Sequence, residues 1–439
     1  MHATAILLAA GLGTRMHSAR PKAAHLLAGR PMLAHLIASC EAVFDRIVVV
    51  VGPGMESLAA LAAPHPVVVQ EQRLGTAHAA LQARARFGEG DVAVLYADNP
   101  LITPETLRRL VAQRRAPDTG LALLAMRPID PARYGRIVSH DGLVERIVEW
   151  ADASPAQRAI DLCNAGVLCA AAADLGRWLD EVGCDNVKSE YYLTDIVAIA
   201  ADQGARVRAV EAPEAELRGI NSRAELALAE AEIQRRLRSS ALDAGVTLIA
   251  PETVFLAADT ILGADVTVHP HVVFGPGVRI GSGTEILAFS HLEGCSVGED
   301  ARIGPYARLR PGTRVGDRAH VGNFVELKAT DLGEGAKANH LSYLGDASIG
   351  AGSNIGAGTI TCNYDGVSKH RTEIGSDVFV GSDTILVAPV TLGDGSLIAA
   401  GSVITEPVEP DAMAFGRARQ VNKPAAAPAL RARLREEKP

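Results

Sequence analysis

Continuous apolar runs separated by helix-like stretches characterise the first half of the sequence. Runs such as RIVVVVG (residues 46–52) and DVAVLYAD (residues 91–98) alternate with Ala- and Leu-rich segments. Because a strand that is buried on both faces shows no polar alternation, Val and Ile runs of this kind are typical of parallel strands between helices. The first half therefore predicts an α/β fold built on an open sheet.

A charged helix follows this region. The segment SRAE (residues 222–225) offers a capping box, and Leu226, Ile233 and Leu237 then recur on one side of the helix. We assign residues 1–221 to a first domain and residues 222–243 to a connector helix.

Beyond residue 246 the helical pattern gives way to a period of six. Apolar residues recur at this spacing at Leu262, Val268, Phe274, Ile280, Ile286 and Leu292, then at Val297, Ile303, Leu309, Val315, Val321 and Leu327, and again at Ile349, Ile355, Ile374, Val380, Leu386, Leu392, Ile398 and Ile404. Such repeats predict a parallel β-helix whose apolar residues point into a narrow prism, with small residues at its corners. We predict a left-handed parallel β-helix over residues 244–420 and a mobile, Ala-, Pro- and Arg-rich tail at 421–439.

Composition narrows the class of protein. A net charge of −8 weighs against broad binding to nucleic acid or anionic membranes. No apolar run is long enough to span a membrane, and Arg15 follows the first apolar run, whereas a signal peptide carries its positive charge before it. The six cysteines form no CxxC pair. We expect a cytoplasmic protein with small-molecule substrates and with no nucleic-acid or membrane partner.

A glycine-rich turn near the start is a candidate phosphate site. Gly11 and Gly13 follow a predicted strand, and such turns let backbone amides approach an anion closely. Met16 stands where a dinucleotide fingerprint has its third glycine, and no Walker lysine follows. Asp98 ends a predicted buried strand, where open sheets bind ligands and where a carboxylate suits Mg²⁺. An Asp that caps the next turn is the structural alternative.

Several motifs together resemble a known family. They are LAAGLGTRM (residues 8–16), EYYLTD (190–195), RGINSR (218–223), HVGNFVELK (320–328), NHLSYLGD (339–346) and GAGTITCNYDG (356–366). The first of these, taken together with RPK (20–22), QEQRLGTAH (70–78) and LYADNP (95–100), is similar to sugar nucleotidyltransferases, whose domain is Rossmann-like. With the hexapeptide half, the chain from about residue 5 to 420 resembles the bacterial bifunctional N-acetylglucosamine-1-phosphate uridylyltransferase/glucosamine-1-phosphate acetyltransferase family.

For the first half, the resemblance implies transfer of UMP from UTP to N-acetylglucosamine-1-phosphate, with release of pyrophosphate. Asp98 and Asn221 would bind Mg²⁺, while Arg15 and Lys22 would neutralise phosphate charge. The implied nucleotide and sugar site comprises Leu8, Ala9, Ala10, Gly11, Arg15, Lys22, Gln70, Gly75, Thr76, Tyr96, Ala97, Asp98, Gly135, Glu149, Asn164 and Asn221. Positioning and charge neutralisation supply most of the rate enhancement in such chemistry.

For the second half, the resemblance implies transfer of acetyl from acetyl-CoA to the amino group of glucosamine-1-phosphate. His340 is the implied general base, and Glu326 is a candidate to orient its ring. The implied sugar-phosphate residues are Arg310, Lys328, Tyr343, Asn354 and Lys369. The implied acetyl-CoA residues are Ala357, Asn363, Tyr364, Ser382, Ala400 and Arg417. Arg310 and Lys328 occupy corner positions where glycine is common, and solvated corner charges are the structural alternative. His340 is expected at a break in the six-residue rhythm.

The resemblance also implies a homotrimer, because closed symmetry favours a ring of prisms that pack along their faces. Departures from the family pattern are Leu12, Ala97, Asn99, Trp150 and Asn339.

Three alternatives remain open at this level. Translation-initiation-factor subunits also join such domains without synthesising nucleotide sugars, although Lys22, Asp98 and Asn221 favour an enzyme. Hexapeptide prisms can hold zinc between subunits, with His269, His271, His291 and His320 as candidates. A guanylyl- or thymidylyltransferase is possible for the first half.

Overall fold

The computed structural model describes residues 2–131 and 133–437, and it divides into two compact units between Leu237 and Arg238. The division falls inside the helix Arg223–Asp243, which corresponds to the predicted connector. The domain limits drawn from the sequence, 1–221, 222–243 and 244–420, stay predictions.

A mostly parallel sheet forms the centre of the first unit. In spatial order its strands are Val207–Glu211, Leu121–Met126, Cys163–Ala171, Asp91–Tyr96, Ala3–Leu8, Arg46–Val51 and Val67–Val69. The strand Cys163–Ala171 runs antiparallel to both neighbours, and the hairpin Arg136–His140 and Leu143–Val148 attaches to it. The prediction of an open α/β sheet is confirmed.

Helices cover both faces of this sheet. They are Met32–Glu41, Glu56–Ala62, Thr76–Gln82, Pro104–Arg115, Pro155–Arg158, Ala172–Glu181, Asp195–Asp202, Glu214–Leu217 and the first part of Arg223–Asp243. Short elements are the 3-10 turns Thr14–Met16, Lys22–Ala24 and Arg84–Arg86 and the strand pair Leu26–Leu27 and Arg30–Pro31. Leu7 and Ile6 belong to opposite cores and are both fully buried. Burial on both faces explains the unbroken apolar runs in the sequence.

The second unit is a three-faced parallel β-helix. Its first face comprises Thr247–Leu248, Thr267–Val268, Glu285–Ile286, Arg302–Ile303, His320–Asn323, Lys337–His340, Asn354–Ile355, Phe379–Val380, Leu397–Ile398 and Met413–Ala414. Its second face comprises Val273–Phe274, His291–Leu292, Arg308–Leu309, Glu326–Lys328, Tyr343–Gly345, Ile360–Cys362, Ile385–Val387 and Val403–Ile404. Its third face comprises Ile261–Leu262, Arg279–Ile280, Ser296–Val297, Arg314–Val315, Asp331–Leu332, Ala347–Ile349, Thr372–Ile374 and Val390–Leu392. A 3-10 turn, Pro251–Thr253, precedes the regular coils. The predicted hexapeptide fold is confirmed.

The six-residue rhythm fills the prism as predicted. Its residues are buried, apart from the half-buried Leu262 in the first coil. On the first face, Val321 pairs with Ala338 and Ala338 with Ile355, so the apolar stack is continuous there. The expected break in the rhythm at His340 is therefore wrong, because the small residue Ala338 continues it. The true interruption is the loop at residues 363–371, between the second and third faces.

An exposed column of rings follows the corner between the first and second faces. His271, Phe289, Tyr306 and Phe324 stack with centroids 4.8, 4.9 and 5.3 Å apart, and Leu341 continues the column one coil later. Each has a left-handed backbone, which turns the corner and directs its side chain outward. The column leads directly to His340.

The end of the chain contains a helix that the sequence did not predict. Ala426–Glu436 is helical and exposed throughout. Mobility of residues 421–439 stays a prediction. Across the described residues, no helix combines the length and the apolar character that crossing a membrane requires.

Candidate functional sites

One cleft of the first unit gathers nearly all of its predicted site residues. The cleft opens at the carboxyl ends of the strands Ala3–Leu8 and Asp91–Tyr96. All of the residues implied for UTP and sugar binding line it, except Gly135 and Asn164. Open α/β sheets bind their ligands at this end of the strands.

The glycine-rich turn is fixed at both sides. Ala9 N donates to Val50 O at 2.7 Å, and Ala97 N donates to Leu8 O at 3.0 Å. Further along, Arg223 Nε donates to Met16 O at 3.2 Å. These contacts fix both ends of the turn beside Asp98.

A lysine joins the two predicted metal ligands. Lys22 Nζ forms an ion pair with Asp98 and donates to Asn221 Oδ1 at 2.9 Å. Ile220 N donates to Asp98 O at 2.9 Å, which holds the segment of Asn221 against the end of the strand. A carboxylate oxygen and an amide oxygen thus converge on one cationic position. This donor set suits Mg²⁺.

The turn implied to recognise uracil packs tightly. Gln70 is buried, and its Nε2 donates to Gly75 O at 3.1 Å. Gly75 has φ +127°, and a Cβ there would lie 2.4 Å from Tyr191 O, so only glycine fits. Thr76 Oγ1 accepts a hydrogen bond from Leu193 N at 2.9 Å. The motif EYYLTD therefore supports this turn directly.

Acidic groups define the end of the cleft implied to hold the sugar. Thr194 Oγ1 donates to Glu149 Oε1 at 3.1 Å, and burial raises the pKa of Glu149. Gly135 lies beside Glu149, since a Cβ on it would be 3.5 Å from Oε1. Asn164 Oδ1 accepts from Gly166 N at 3.0 Å and borders a small adjoining cavity with Tyr96 and Thr194.

Sequence reasoning missed part of the cleft lining. Arg73, Lys188, Glu190 and Tyr192 also line it. Arg73 Nε donates to Ala10 O at 2.9 Å, which ties it to the phosphate turn. Lys188 Nζ lies 5.8 Å from the centroid of the Tyr192 ring, and the buried Tyr192 hydroxyl has no hydrogen-bond partner among the described residues. Arg73, Glu190 and Tyr192 lie inside quoted motifs, which was the available signal.

In the β-helix, His340 ends a strand at the corner between the first and second faces, which we call the histidine corner. Its Nδ1 lies 2.7 Å from Asn323 Oδ1. An amide oxygen only accepts, so Nδ1 carries the proton and Nε2 is the free acceptor. The expectation that Glu326 orients the ring is wrong, because Glu326 pairs with Arg310 at 2.9 Å and with Arg308 at 3.7 Å.

The implied sugar-phosphate cations lie at the next corner, between the second and third faces, which we call the lysine corner. Lys328 Nζ lies 3.5 Å from Asp346 Oδ2, and the neighbouring Lys328 side chain lowers the pKa of Lys369. A Cβ at Gly345 would lie 2.5 Å from the Tyr343 hydroxyl and 2.9 Å from Asn363 Nδ2, so glycine leaves room for both. Asn354 lies on the first face instead.

The implied acetyl-CoA residues fall into two groups. Ala357, Ser382 and Ala400 follow successive first-face strands above His340, and Arg417 packs beside Gly401 at the same corner. Asn363 and Tyr364 belong to the loop at the lysine corner. A corner turn at residues 341–342 and the strand Tyr343–Gly345 separate the two corners, a distance of at most about 16 Å. The two groups therefore lie at opposite edges of the second face.

The departures from the family pattern have structural partners. Ala97 lines the cleft, and Asn99 Nδ2 donates to Leu217 O at 2.7 Å. The guanidinium groups of Arg133 and Arg158 lie over the Trp150 ring, 5.5 and 4.2 Å from its centroid.

Two departures remain, together with the candidate zinc ligands. Leu12 is exposed, and Asn339 Oδ1 is buried with no hydrogen-bond partner in the described ranges 2–131 and 133–437. His269 pairs with Glu285 at 3.0 Å and His271 stacks on Phe289. In the part of the chain that the structure describes, no three His, Cys, Asp or Glu side chains form a metal-binding group.

The first unit is an α/β fold with a glycine-rich turn and an oxygen-lined cation position, and the second is a hexapeptide β-helix. This combination defines a fused nucleotidyltransferase and acyltransferase. The family model of the MobA-like NTP transferase domain matches residues 5–167. The model of the bacterial transferase hexapeptide (six repeats) matches residues 294–329 and 371–406.

Curated relatives specify the family. Bifunctional protein GlmU of Gluconacetobacter diazotrophicus is 70% identical over 440 residues, covering 99% of this chain and 95% of the relative. Proteins of the same name from Acidiphilium cryptum and Granulibacter bethesdensis are 64% and 62% identical, covering 98% of this chain and 99% and 97% of the relatives. The chain belongs to the GlmU family of bifunctional enzymes. The predicted function, acetyltransfer and uridylyltransfer in UDP-N-acetylglucosamine synthesis, is confirmed at this level and is favoured over the initiation-factor alternative.

Proposed function

We propose that the cleft of the first unit binds UTP and N-acetylglucosamine-1-phosphate with the residues that the sequence implied. The observation that carries this assignment is the convergence of Lys22, Asp98 and Asn221 beside the phosphate turn. Residues 8–11 line the triphosphate site, with the amide of Ala9 already bound to Val50 O, and Arg15 and Lys22 balance the phosphate charge. Gln70, Gly75 and Thr76 take the base, while Glu149, Gly135 and Asn164 take the sugar.

Asp98 and Asn221 are the residues that would hold Mg²⁺, since their oxygens already share one cation. When bound, the ion neutralises phosphate charge at the reacting centre. The chain itself orients the sugar phosphate toward the α-phosphorus through the cleft walls. Lys22 then exchanges its carboxylate and amide partners for the phosphate oxygens. No side chain needs to form a covalent intermediate in this reaction class.

The β-helix acetylates glucosamine-1-phosphate in our proposal. His340 Nε2 removes a proton from the amine as the amine nitrogen attacks the thioester carbonyl, and Asn323 holds the ring in the tautomer that permits this. The C–S bond then breaks, and CoA leaves as the thiol after its sulfur takes the proton from His340. Burial, together with Arg302 and Lys337, lowers the pKa of the neighbouring His320, so His320 stays uncharged at neutral pH. The cations of the lysine corner bind the sugar phosphate.

A pair of substitutions tests both assignments. We expect Asp98→Ala to abolish uridylyltransfer and to spare acetyltransfer. His340→Ala should do the reverse, lowering acetyltransfer by about a hundred- to ten-thousandfold, which is the usual value of general-base help. Each rate is measured separately on the purified full-length enzyme.

Exposed residues of the same types provide controls. Asp202→Ala and His291→Ala change an Asp of the first unit and a His of the second face, and both should leave both rates unchanged. Normal uridylyltransfer by Asp98→Ala, or normal acetyltransfer by His340→Ala, would refute the corresponding assignment.

We further propose that a homotrimer completes the acetyltransfer site. Within one chain the histidine corner and the lysine corner lie at opposite edges of the second face. A neighbouring prism can bring its lysine corner to the histidine corner of the first, and the exposed ring column beside His340 offers it an apolar surface.

Because UTP and acetyl-CoA are metabolites of the cytoplasm, we also propose that the enzyme is cytoplasmic, which cell fractionation tests.

A further inference from the structure

Asp346 lies among the cations of the lysine corner. Its Oδ2 lies 3.5 Å from Lys328 Nζ and also accepts a hydrogen bond from Asn363 Nδ2. The Lys369 ammonium is close enough to interact electrostatically with Asp346, Lys328 and Arg310. A carboxylate beside an anion site opposes anion binding through like-charge repulsion. Asp346 must therefore help the site in a way that outweighs this repulsion.

The backbone of Asp346 joins the coil to the inserted loop at residues 363–371. Asp346 O accepts from Thr372 N at 3.2 Å where the loop ends, and its carboxylate holds Asn363 where the loop begins. Asp346 N donates to Lys328 O at 2.9 Å. The residue has φ +48°, a left-handed conformation that glycine adopts with less strain. Asp tolerates this conformation better than most residues do, and the contacts above, rather than backbone strain, indicate a role for its side chain.

We propose that Asp346 is a positioning residue for glucosamine-1-phosphate. It holds Lys328 against the second face and fixes the loop that carries Lys369, so that both ammonium groups converge on one phosphate. Two ammonium groups without a counter-charge repel each other. A loop without its anchor must also be ordered when substrate binds, which weakens binding. The proposal rests on the assignment of Lys328 and Lys369 to the sugar phosphate.

Two substitutions separate the carboxylate from the backbone. Asp346→Gly suits the left-handed backbone and removes the side chain, whereas Asp346→Asn keeps an acceptor oxygen and removes the charge. We expect Asp346→Gly to raise the KM for glucosamine-1-phosphate by about tenfold, the usual consequence of losing a charge-assisted contact. Asp346→Asn should give an intermediate KM. The kcat should change by less than about twofold for both, because the general base His340 and its contact with Asn323 are unchanged.

Matched controls come from the same prism. Asp377 is an exposed corner residue with φ +55°, and it lies outside the lysine corner. Asp377→Gly and Asp377→Asn should leave the KM unchanged. Uridylyltransfer and thermal unfolding of the Asp346 variants should match the wild type.

The variants Asp346→Gly and Lys328→Ala distinguish the positioning role of Asp346 from its premise, the binding of the sugar phosphate by Lys328. A wild-type KM for Asp346→Gly, or a parallel loss of kcat and thermal stability, overturns the positioning role. Lys328→Ala tests the premise, since an unchanged KM in that variant overturns the assignment of the sugar phosphate itself. A raised KM for Lys328→Ala with a normal KM for Asp346→Gly would defeat the inference about Asp346 alone.

Discussion

At the scale of single residues, the sugar end of the cleft concentrates negative charge. Burial, with added repulsion from Glu149 and Asp152, raises the pKa of Asp195 to about 6. Burial is also the main reason why the pKa of Glu149 is raised. Such crowding reduces stability when the groups ionise, so a cluster of this kind indicates a site built for binding.

The pH dependence of stability follows from Asp195. An unfolded Asp titrates near 3.9, so the folded first unit holds this proton more tightly, and its free energy of unfolding falls as pH rises from about 4 to about 6. We expect Asp195→Asn to unfold at a higher temperature than the wild type at pH 8 and at the same temperature at pH 4. Both tryptophans, Trp150 and Trp178, lie in the first unit, so their fluorescence reports its unfolding.

Asp202→Asn is the control for this experiment. Asp202 ends the helix that Asp195 begins and is exposed. Its substitution should give equal shifts at both pH values. An advantage of Asp195→Asn that does not change with pH would contradict the raised pKa as its cause.

Short motifs supplied the predicted site residues at this scale, but they did not show which of these residues contact each other. Lys22, Asp98 and Asn221 were each expected from the sequence, yet 76 and 199 residues separate Lys22 from its partners. Their contact depends on side-chain reach at the end of a sheet. The partner of His340 was misassigned for a similar reason, since Asn323 meets it only because two coils stack in register.

At the scale of elements, the helix Arg223–Asp243 contributes to the first unit as far as Leu237. Leu226, Ala229 and Ile233 pack against a small core of Leu27, Met32, Leu101 and Ile220. Ala28 N donates to Glu230 Oε2 at 2.8 Å, and Arg236 Nη1 donates to Leu101 O at 2.8 Å. The helix is therefore more than a connector.

Truncation should distinguish these functions of the helix. A chain that ends at Leu237 keeps the small core, and we expect it to retain full uridylyltransfer. A chain that ends at residue 225 exposes that core, and its free energy of unfolding should fall by about 3 kcal/mol or more, since each buried aliphatic side chain contributes about 1.5–3 kcal/mol. Urea unfolding followed by tryptophan fluorescence measures the difference. Equal stability of the two fragments would contradict the packing role.

Regular repeats were the most predictable elements. The six-residue period predicted the prism because every coil must fill the same narrow core. The loop at residues 363–371 was recognisable as an insertion, whereas the continuation of the rhythm through Ala338 was not, because a small residue gives no apolar signal. The exposed helix Ala426–Glu436 buries no apolar face, so the sequence there has no apolar periodicity from which a helix could be predicted.

At the scale of the whole molecule, the two activities should respond differently to assembly. In our proposal, uridylyltransfer uses a cleft that lies within one unit of one chain. In our proposal, acetyltransfer combines the histidine corner of one prism with the lysine corner of another. Dissociation therefore removes one activity and leaves the other.

Charge placed on the ring column tests this proposal. Phe289 and Phe324 are exposed to 49% and 56% in the single chain, so Phe289→Glu and Phe324→Glu need not disturb the prism core. We expect the double variant to be a folded monomer by light scattering, while the wild type is a trimer. The monomer should lose acetyltransfer and keep uridylyltransfer, because only the former needs two prisms. Arg318→Glu, at another exposed corner position, is the matched control. A monomer that acetylates at the full rate would show that one chain holds a complete site.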